Sequence, residues 1–268
     1  IITNEKTKNR FCNKKYNLLV YDDVRSQTSC NKPSIHFQKN DLACVIYTTG
    51  SSDTPKGVSF SHSNLSNFVQ IAQDAIRYRS DDRCLFSSAV TFVVVIRQIL
   101  VPLAVGAQVI IADSEHLANP HQFFCLIKTE QVTTMDIVPS YWRVIMDWLS
   151  AVRVETRVDL LNNKLRQIVS GGELLLSDLP QRWAREFQHP AQIINVLGQT
   201  ETTGIVSNNR LSFQIEETIK PLPIGKPNKK TKIFVLNSGL NPVGKDEIGE
   251  ILISSPCVAL GYFKKMKL

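Results

Sequence analysis

The chain has 268 residues, with 31 Lys+Arg against 24 Asp+Glu and a formal net charge of +7. Hydrophobic residues make up 43% and charged residues 21%, which is the composition of a folded globular protein and excludes a largely disordered chain. The longest apolar stretch, residues 89–111, contains Arg97, Gln98, Pro102 and Gln108. A membrane span is therefore not predicted.

The cysteines and lysines indicate which compartment and partners to expect. Six cysteines are scattered without a CxxC pair, which predicts reduced thiols in a cytoplasmic protein. Lysines cluster only at 226–232 and 264–267. Without a nucleic-acid recognition module, a solvated face is favoured over nucleic-acid binding. The chain begins without Met or a signal-peptide core, which predicts a start inside a longer protein.

Strand-like and helix-like segments alternate from residue 41 onwards. Residues 42–48 are a nearly continuous apolar run next to a Gly/Ser/Asp/Pro cluster, which is typical of a buried strand. Residues 64–78 place apolar side chains on one helical face, which Ser61 or Ser63 could cap. Further strands are predicted at 108–112, 134–138, 167–170 and 193–197, and helices near 94–105, 120–130, 140–150 and 176–187.

This alternation predicts βαβ units and an α/β fold with a mostly parallel sheet and flanking helices. After about residue 220 the helical patterns stop, and strands are predicted at 231–237 and 248–254. The chain is therefore divided into residues 1–40, an α/β core at 41–220, and the start of a β-rich subdomain at 221–268.

The segment 47–58 reads YTTGSSDTPKGV and follows the first predicted strand. Hydroxyls and free backbone N–H groups in a tight loop form an anion-binding concavity, and Lys56 adds a point charge. The spacing does not match the Walker loop GxxxxGK(S/T). Composition alone would favour a polar surface loop.

The order of its residues, however, resembles the phosphate loop of the adenylate-forming, or AMP-binding, superfamily, whose pattern is close to YTSGTTGxPKGV. Three further segments follow in the family's order, at 165–173 (LRQIVSGGE), 195–201 (NVLGQTE) and 223–263 (PIGKP, GEILI and GYF). The chain is thereby identified as a member of this superfamily, most similar to an adenylation domain of nonribosomal peptide synthetases.

The resemblance implies an ATP-dependent ligase that activates a small carboxylic acid as an acyl-adenylate. The acyl group then passes to the phosphopantetheine thiol of a carrier-protein domain or to CoA. Lys56, Thr200 and Glu201 would be catalytic, with Glu201 holding Mg²⁺. The residues expected to contact ATP are Thr48, Thr49, Gly50, Ser51, Ser52, Lys56, Gly171, Gly172, Glu173, Asn195, Leu197, Gly198 and Thr200.

The substrate pocket aligns through residues 88–97. Val93 stands where peptide-synthetase domains have the Asp that pairs with an α-ammonium group. An apolar residue would leave that ammonium unpaired, which predicts a hydroxy, keto, aryl or acyl acid. Arg97 and Asp136 map nearby, and a mutual ion pair and a substrate contact are equally open. The predicted lining comprises Phe92, Val93, Val94, Arg97, Asp136, Val169, Val196 and Gly204.

The sequence departs from the family at several points. Asp53 replaces a loop Gly, and Leu197 replaces an aromatic residue expected to stack on adenine, so both lower the expected ATP affinity. The ribose-binding Asp and the assisting Lys would lie beyond residue 268, and residues 1–40 would be a remnant of a preceding subdomain. An internal fragment of the large domain is therefore expected. The alternative is a truncated, inactive remnant that acts at most as a weak nucleotide-binding or interaction module.

Overall fold

The computed structural model describes residues 2–3, 7, 9, 19–20, 34–48, 54–212 and 218–263. Backbone contacts divide the chain into two compact units, residues 1–37 and 38–268. In the first unit, strand β1 (Ile2–Thr3) pairs in parallel with β2 (Leu19–Val20). The predicted division at residues 40 and 220 stays a prediction.

The second unit contains the other described strands and helices. Its strands are β3 (Leu42–Thr48), β4 (Lys56–Ser61), β5 (Arg83–Phe86), β6 (Gln108–Ile111), β7 (Thr134–Ile137), β8 (Gln167–Gly171), β9 (Gln192–Gln199), β10 (Gly204–Arg210), β11 (Lys226–Pro227), β12 (Lys232–Leu236), β13 (Glu250–Ser254) and β14 (Gly261–Tyr262). Its α-helices are α1 (His62–Ile76), α2 (Val101–Ala104), α3 (Ser114–Ala118), α4 (Pro120–Thr129), α5 (Pro139–Ala151), α6 (Val154–Leu161) and α7 (Asp178–Arg185). A π-helical turn (Ile96–Leu100) precedes α2, and a 3-10 turn (Thr200–Thr202) follows β9.

The central sheet has seven strands in the order β11-β10-β9-β8-β7-β5-β6. The five strands from β9 to β6 are parallel, and β10 and β11 are antiparallel at one edge. Successive residues of β8 and β9 enter two different cores: Ile168 and Ile193 join one, Val169 and Ile194 the other. That alternation means that both faces of the sheet are covered. The predicted α/β fold is confirmed.

Two smaller antiparallel sheets complete the second unit. One has the order β14-β4-β3, and the other pairs β12 with β13. The two strands predicted after residue 220 are therefore present, paired from Lys232 with Ser254 to Leu236 with Glu250. No helix occurs after residue 220 within 221–263, the part described there.

Helix α1 begins where a capping residue was predicted. The Ser61 hydroxyl accepts a hydrogen bond from the Asn64 backbone N–H at 3.1 Å, and the Asn64 side chain accepts one from the Ser61 backbone at 3.0 Å. This reciprocal cap makes Ser61, rather than Ser63, the N-cap.

The four described cysteines, Cys44, Cys84, Cys125 and Cys257, are free thiols. None of the helices in the described part of the chain is long and apolar enough to span a membrane.

His189 gives the fold a specific dependence on pH. The ring is buried, its Nδ1 accepts the Ala191 backbone N–H at 3.2 Å, and its Nε2 lies 3.2 Å from Asn163 Oδ1. A proton on Nδ1 would face another N–H, so only the neutral ring fits. Burial lowers the pKa of His189 from 6.5 to about 4.

We therefore expect the protein to lose stability as the pH falls from 6.5 towards 4, because His189 binds a proton in the unfolded chain over this range but stays neutral in the folded state. The loss should reach up to about 3 kcal/mol at the lower end of this window. Urea unfolding at half-unit pH steps measures it. His189→Gln should flatten this part of the profile, and an unchanged slope in that variant would assign the effect to other groups.

Candidate active site

A cleft of about 870 Å³ lies at the carboxyl ends of strands β5, β7, β8 and β9. Parallel α/β sheets bind their ligands at this end. The residues that line it are Ile46, Tyr47, Thr48, Phe68, Ser87, Ser88, Ala89, Thr91, Phe92, Val93, Val94, Arg97, Leu117, Asp136, Ile137, Val138, Tyr141, Gly171, Gly172, Glu173, Val196, Gly198, Thr200 and Gly204. Most of these side chains are apolar, so the cleft suits a ligand with a sizeable apolar part.

Seven of the eight residues predicted for the substrate pocket line this cleft. They are Phe92, Val93, Val94, Arg97, Asp136, Val196 and Gly204. Val169 does not line it: the side chain is fully buried in the core beneath the sheet. The sequence did not single out Tyr141 or Phe68, because each lies on an amphipathic helix whose apolar positions look alike in sequence.

Arg97 and Asp136 form a buried ion pair in the wall of the cleft. Arg97 Nη2 donates to Asp136 Oδ1 at 2.9 Å, and Arg97 Nε donates to Oδ2. Burial lowers the pKa of Arg97, but the Asp136 carboxylate raises it more, so the net shift is upward and the guanidinium stays charged. Both carboxylate oxygens are engaged, while Nη1 of Arg97 has no partner among the described residues.

The two strands that flank the predicted phosphate loop lie side by side. Thr48 at the end of β3 is the register partner of Lys56 at the start of β4, and Thr48 lines the cleft. Lys56 is half-buried and is not part of the lining. The predicted ligands Thr49, Gly50, Ser51 and Ser52 lie outside the described residues, as does Asp53.

A tight turn after β9 presents the next two predicted residues. Thr200 lines the cleft, and Glu201 follows it in the 3-10 turn. The Glu201 carbonyl accepts the Ala259 backbone N–H at 2.8 Å, and its Oε1 accepts a hydrogen bond from the Tyr262 hydroxyl at 2.8 Å. This hydrogen bond raises the pKa of Tyr262, so the phenol keeps the proton that it donates.

Tyr262 also contacts the predicted catalytic lysine. Lys56 Nζ lies 5.4 Å from the centroid of the Tyr262 ring, within the range of a cation–π contact. The ring therefore connects Lys56 and Glu201, which are far apart in sequence. The sequence shows Tyr262 in a Gly-Tyr-Phe motif, but nothing in the motif reveals which residues its side chain contacts.

The GGE segment lines the cleft at the end of β8, through Gly171, Gly172 and Glu173. Both Glu173 oxygens are used locally: they accept the Ser140 backbone N–H and the Ser140 hydroxyl, each at 2.8 Å. Negative charge stabilises the N-terminus of a helix. The Glu173 carboxylate supplies that charge at the start of α5, where the N-cap residue, Val138, has no side-chain acceptor.

The remaining predicted ATP contacts lie on β9. Gly198 lines the cleft. Asn195 is buried, and its Nδ2 donates to the Pro223 carbonyl at 3.0 Å. Leu197 is half-buried, and neither it nor Asn195 is part of the lining.

The Glu201 carboxylate suits Mg²⁺ better than a metal that needs several protein ligands. No group of three His, Cys, Asp or Glu side chains that could hold a metal occurs within the described ranges. Mg²⁺ is commonly held by one or two carboxylates together with substrate phosphates and water. Oε2 of Glu201 has no donor among the described residues, so one carboxylate oxygen remains for such an ion.

Comparison with known proteins establishes the family. A family model described as AMP-binding enzyme matches residues 4–263. The chain therefore belongs to the AMP-binding enzyme family, as its motifs indicated.

Two curated relatives make the similarity more specific. The chain is 34% identical over 253 residues to a dimodular nonribosomal peptide synthase of Bacillus subtilis, covering 93% of this chain and 10% of the relative. It is 30% identical over 254 residues to zwittermicin A synthase ZmaJ of Bacillus cereus, covering 93% of this chain and 46% of the relative. The chain thus spans less than half of either relative.

Solved structures share the fold. The AMPPNP-bound form of the nonribosomal peptide synthetase FmoA3 (S1046A) matches with a TM-score of 0.85 and 24% identity, covering 99% of this chain and 28% of that one. The N-terminal subdomain of Klebsiella oxytoca NpsA, in complex with 3-hydroxybenzoyl-AMSN, matches with a TM-score of 0.71 and 23% identity, covering 92% and 59%. At these identities the likeness supports the fold.

Proposed function

We propose that this chain is the core of an adenylate-forming ligase of the peptide-synthetase type. A substrate carboxylate attacks the α-phosphate of ATP, a new P–O bond forms, and pyrophosphate leaves with the electron pair of the broken bond. The acyl group then passes to a carrier-protein phosphopantetheine thiol or to CoA: a thioester bond forms, and AMP leaves with the electron pair of the broken acyl–phosphate bond. The observation that carries the proposal is the contact chain from Lys56 through Tyr262 to Glu201, next to Thr200 in the wall of a largely apolar cleft.

The proposed roles follow from the chemistry of each group. Lys56 supplies a positive charge for the β- and γ-phosphates, together with Thr48 and the predicted loop hydroxyls. Thr200 offers a hydroxyl to the reacting phosphate. Glu201 would bind Mg²⁺, which neutralises phosphate charge when bound. Positioning and charge neutralisation are the main sources of catalysis in reactions at phosphorus.

The pocket favours an acid without an α-ammonium group. Val93 lines the cleft, and the two carboxylates in the lining, those of Asp136 and Glu173, already have both oxygens engaged. An ammonium in this cleft would be desolvated without a counter-charge. Nη1 of Arg97 instead offers a donor to a hydroxyl, keto or carboxyl oxygen. The proposed substrates are therefore hydroxy, keto, aryl or acyl acids.

The native length of the polypeptide is first established from the intact mass of the protein purified from its source. ATP binding is then tested by calorimetric titration of Mg·ATP into the polypeptide of that length. We expect saturable binding that is at least about tenfold weaker in Lys56→Ala and Glu201→Ala, because each variant loses a charge-assisted contact. Lys245→Ala, on an exposed turn, is the matched control and should bind like the parent. An absence of saturation in the parent would favour the inactive-remnant alternative.

The substrate part has its own test in carboxylate-dependent ATP–pyrophosphate exchange. Matched pairs that differ only at the α-carbon, such as phenyllactate with phenylalanine and lactate with alanine, isolate the ammonium group. The hydroxy acid of each pair should support faster exchange. Faster exchange with the amino acids would reject this substrate class while leaving the ligase proposal intact.

A further inference from the structure

Strand β14 is held beside β4 by antiparallel pairing and by a further backbone hydrogen bond. Gly261 and Tyr262 are the register partners of Ser59 and Val58 in β4. The Phe263 backbone N–H donates to the Gly57 carbonyl at 2.6 Å. These pairings place the Tyr262 side chain beside Lys56, the first residue of β4, at the 5.4 Å separation already described.

The segment before β14 is held to the turn that contains Glu201. The Thr203 hydroxyl donates to the Cys257 carbonyl at 2.6 Å, and the Ala259 N–H donates to the Glu201 carbonyl. The Asn64 side chain donates to two further carbonyls of this segment, Pro256 at 3.0 Å and Val258 at 2.9 Å. The backbone that carries Tyr262 is thus anchored on both sides of its contact with Glu201.

We infer that Tyr262 is a positioning residue for the nucleotide site. Its hydroxyl holds Oε1 of Glu201 so that Oε2 is presented to the cation of Mg·ATP, and its ring holds the Lys56 ammonium beside the same site. This inference rests on the proposed function, because it assigns how two residues of that site are oriented.

The hydroxyl contact can be removed without the ring contact. Tyr262→Phe deletes the hydroxyl and keeps the ring, whereas Tyr262→Leu deletes both. ATP affinity is measured calorimetrically with saturating Mg²⁺ and again with EDTA, and the ratio of the two affinities is the enhancement by Mg²⁺. Tyr262→Phe should reduce this ratio about tenfold, the effect of losing one hydrogen bond to a charged group, while affinity in EDTA stays within about twofold.

Two further variants separate positioning from a structural role. In a Glu201→Gln background, Tyr262→Phe should have no additional effect on the ratio, because the group that it orients has lost its charge. Tyr262→Leu should additionally weaken ATP binding in EDTA, because Lys56 loses its ring contact. If Tyr262→Phe fails to fold in thermal unfolding, the same ratio is measured in Tyr262→Leu, which also lacks the hydroxyl and should lower the ratio by the same factor.

The outcomes distinguish the inference from the proposed function. Failure of the parent protein to bind ATP would overturn both. A parent that binds Mg·ATP with an unchanged ratio in Tyr262→Phe would overturn the positioning role alone. Equal losses with Mg²⁺ and with EDTA in Tyr262→Phe would mean that the hydroxyl supports the fold of the site, and would also overturn it.

Discussion

Replacing Gly198 with alanine is expected to lower the free energy of unfolding by about 3 kcal/mol, because the new methyl group has no space. A Cβ at this position would overlap the carbonyl oxygen of Gly204 and lie 2.8 Å from the Ile205 Cα. Both are backbone atoms of β10, which is paired with β9 at this point. Strand β10 cannot move away without breaking the hydrogen bonds that pair it with β9.

The effect of Gly198→Ala should be measured by urea unfolding next to a second glycine variant. Gly239→Ala is the matched control, since a Cβ there would lie 3.3 Å from the side chains of Asn237 and Asn241 in an exposed turn. We expect a change of less than about 1 kcal/mol at Gly239, because those side chains can move aside. Equal losses in the two variants would show that crowding at Gly198 is not the cause.

Many elements could be predicted from the sequence where the apolar pattern is strong, but the largely buried strands β4, β5 and β10 were not predicted. The predicted strand at 134–138 lies within one residue of β7, all four residues of which are buried. The run at 42–48 coincides with β3, but the prediction that this strand is buried is wrong, because only Ile46 is buried and Leu42 and Tyr47 are exposed at the edge of a small sheet. Where burial is partial, the pattern is weaker: helix α6 buries only Leu160 and was not predicted. The segment near 94–105 was predicted as one helix, but it contains a π-helical turn before α2, a backbone choice that apolar spacing does not reveal.

The site could be predicted only as far as its motifs. The motifs identify Lys56, Thr200 and Glu201, but the contacts of Lys56 and Glu201 with Tyr262 could not be predicted. Tyr262 lies on β14, which pairs with the strand of Lys56, whereas Glu201 follows a strand of the central sheet. Likewise, Val169 was predicted to line the substrate pocket because it aligns with the family's pocket residues. Val169 lies on the same face of β8 as Gly171, which lines the cleft, but two residues earlier in the strand, where its side chain is fully buried in the core.

The other large effect is expected at the Arg97–Asp136 pair in the wall of the cleft. Arg97→Met should cost about 3 to 5 kcal/mol, because it leaves the Asp136 carboxylate buried without its partner. Asp136→Leu should cost a similar amount, of about 3 to 5 kcal/mol, by leaving the guanidinium unpaired. The double variant should recover most of this loss, since two apolar side chains avoid the desolvation of two charges.

A double-mutant cycle by urea unfolding measures the coupling between these two residues. Independent, additive losses would mean that water in the cleft already solvates both charges. The same variants also decide between the two roles that the sequence left open for the pair. If the double variant is stable and its preference in ATP–pyrophosphate exchange is unchanged, the pair only supports the wall of the cleft. If the preference shifts towards acids without a polar group, Nη1 of Arg97 contacts the substrate, and the pair sets specificity as well as stability.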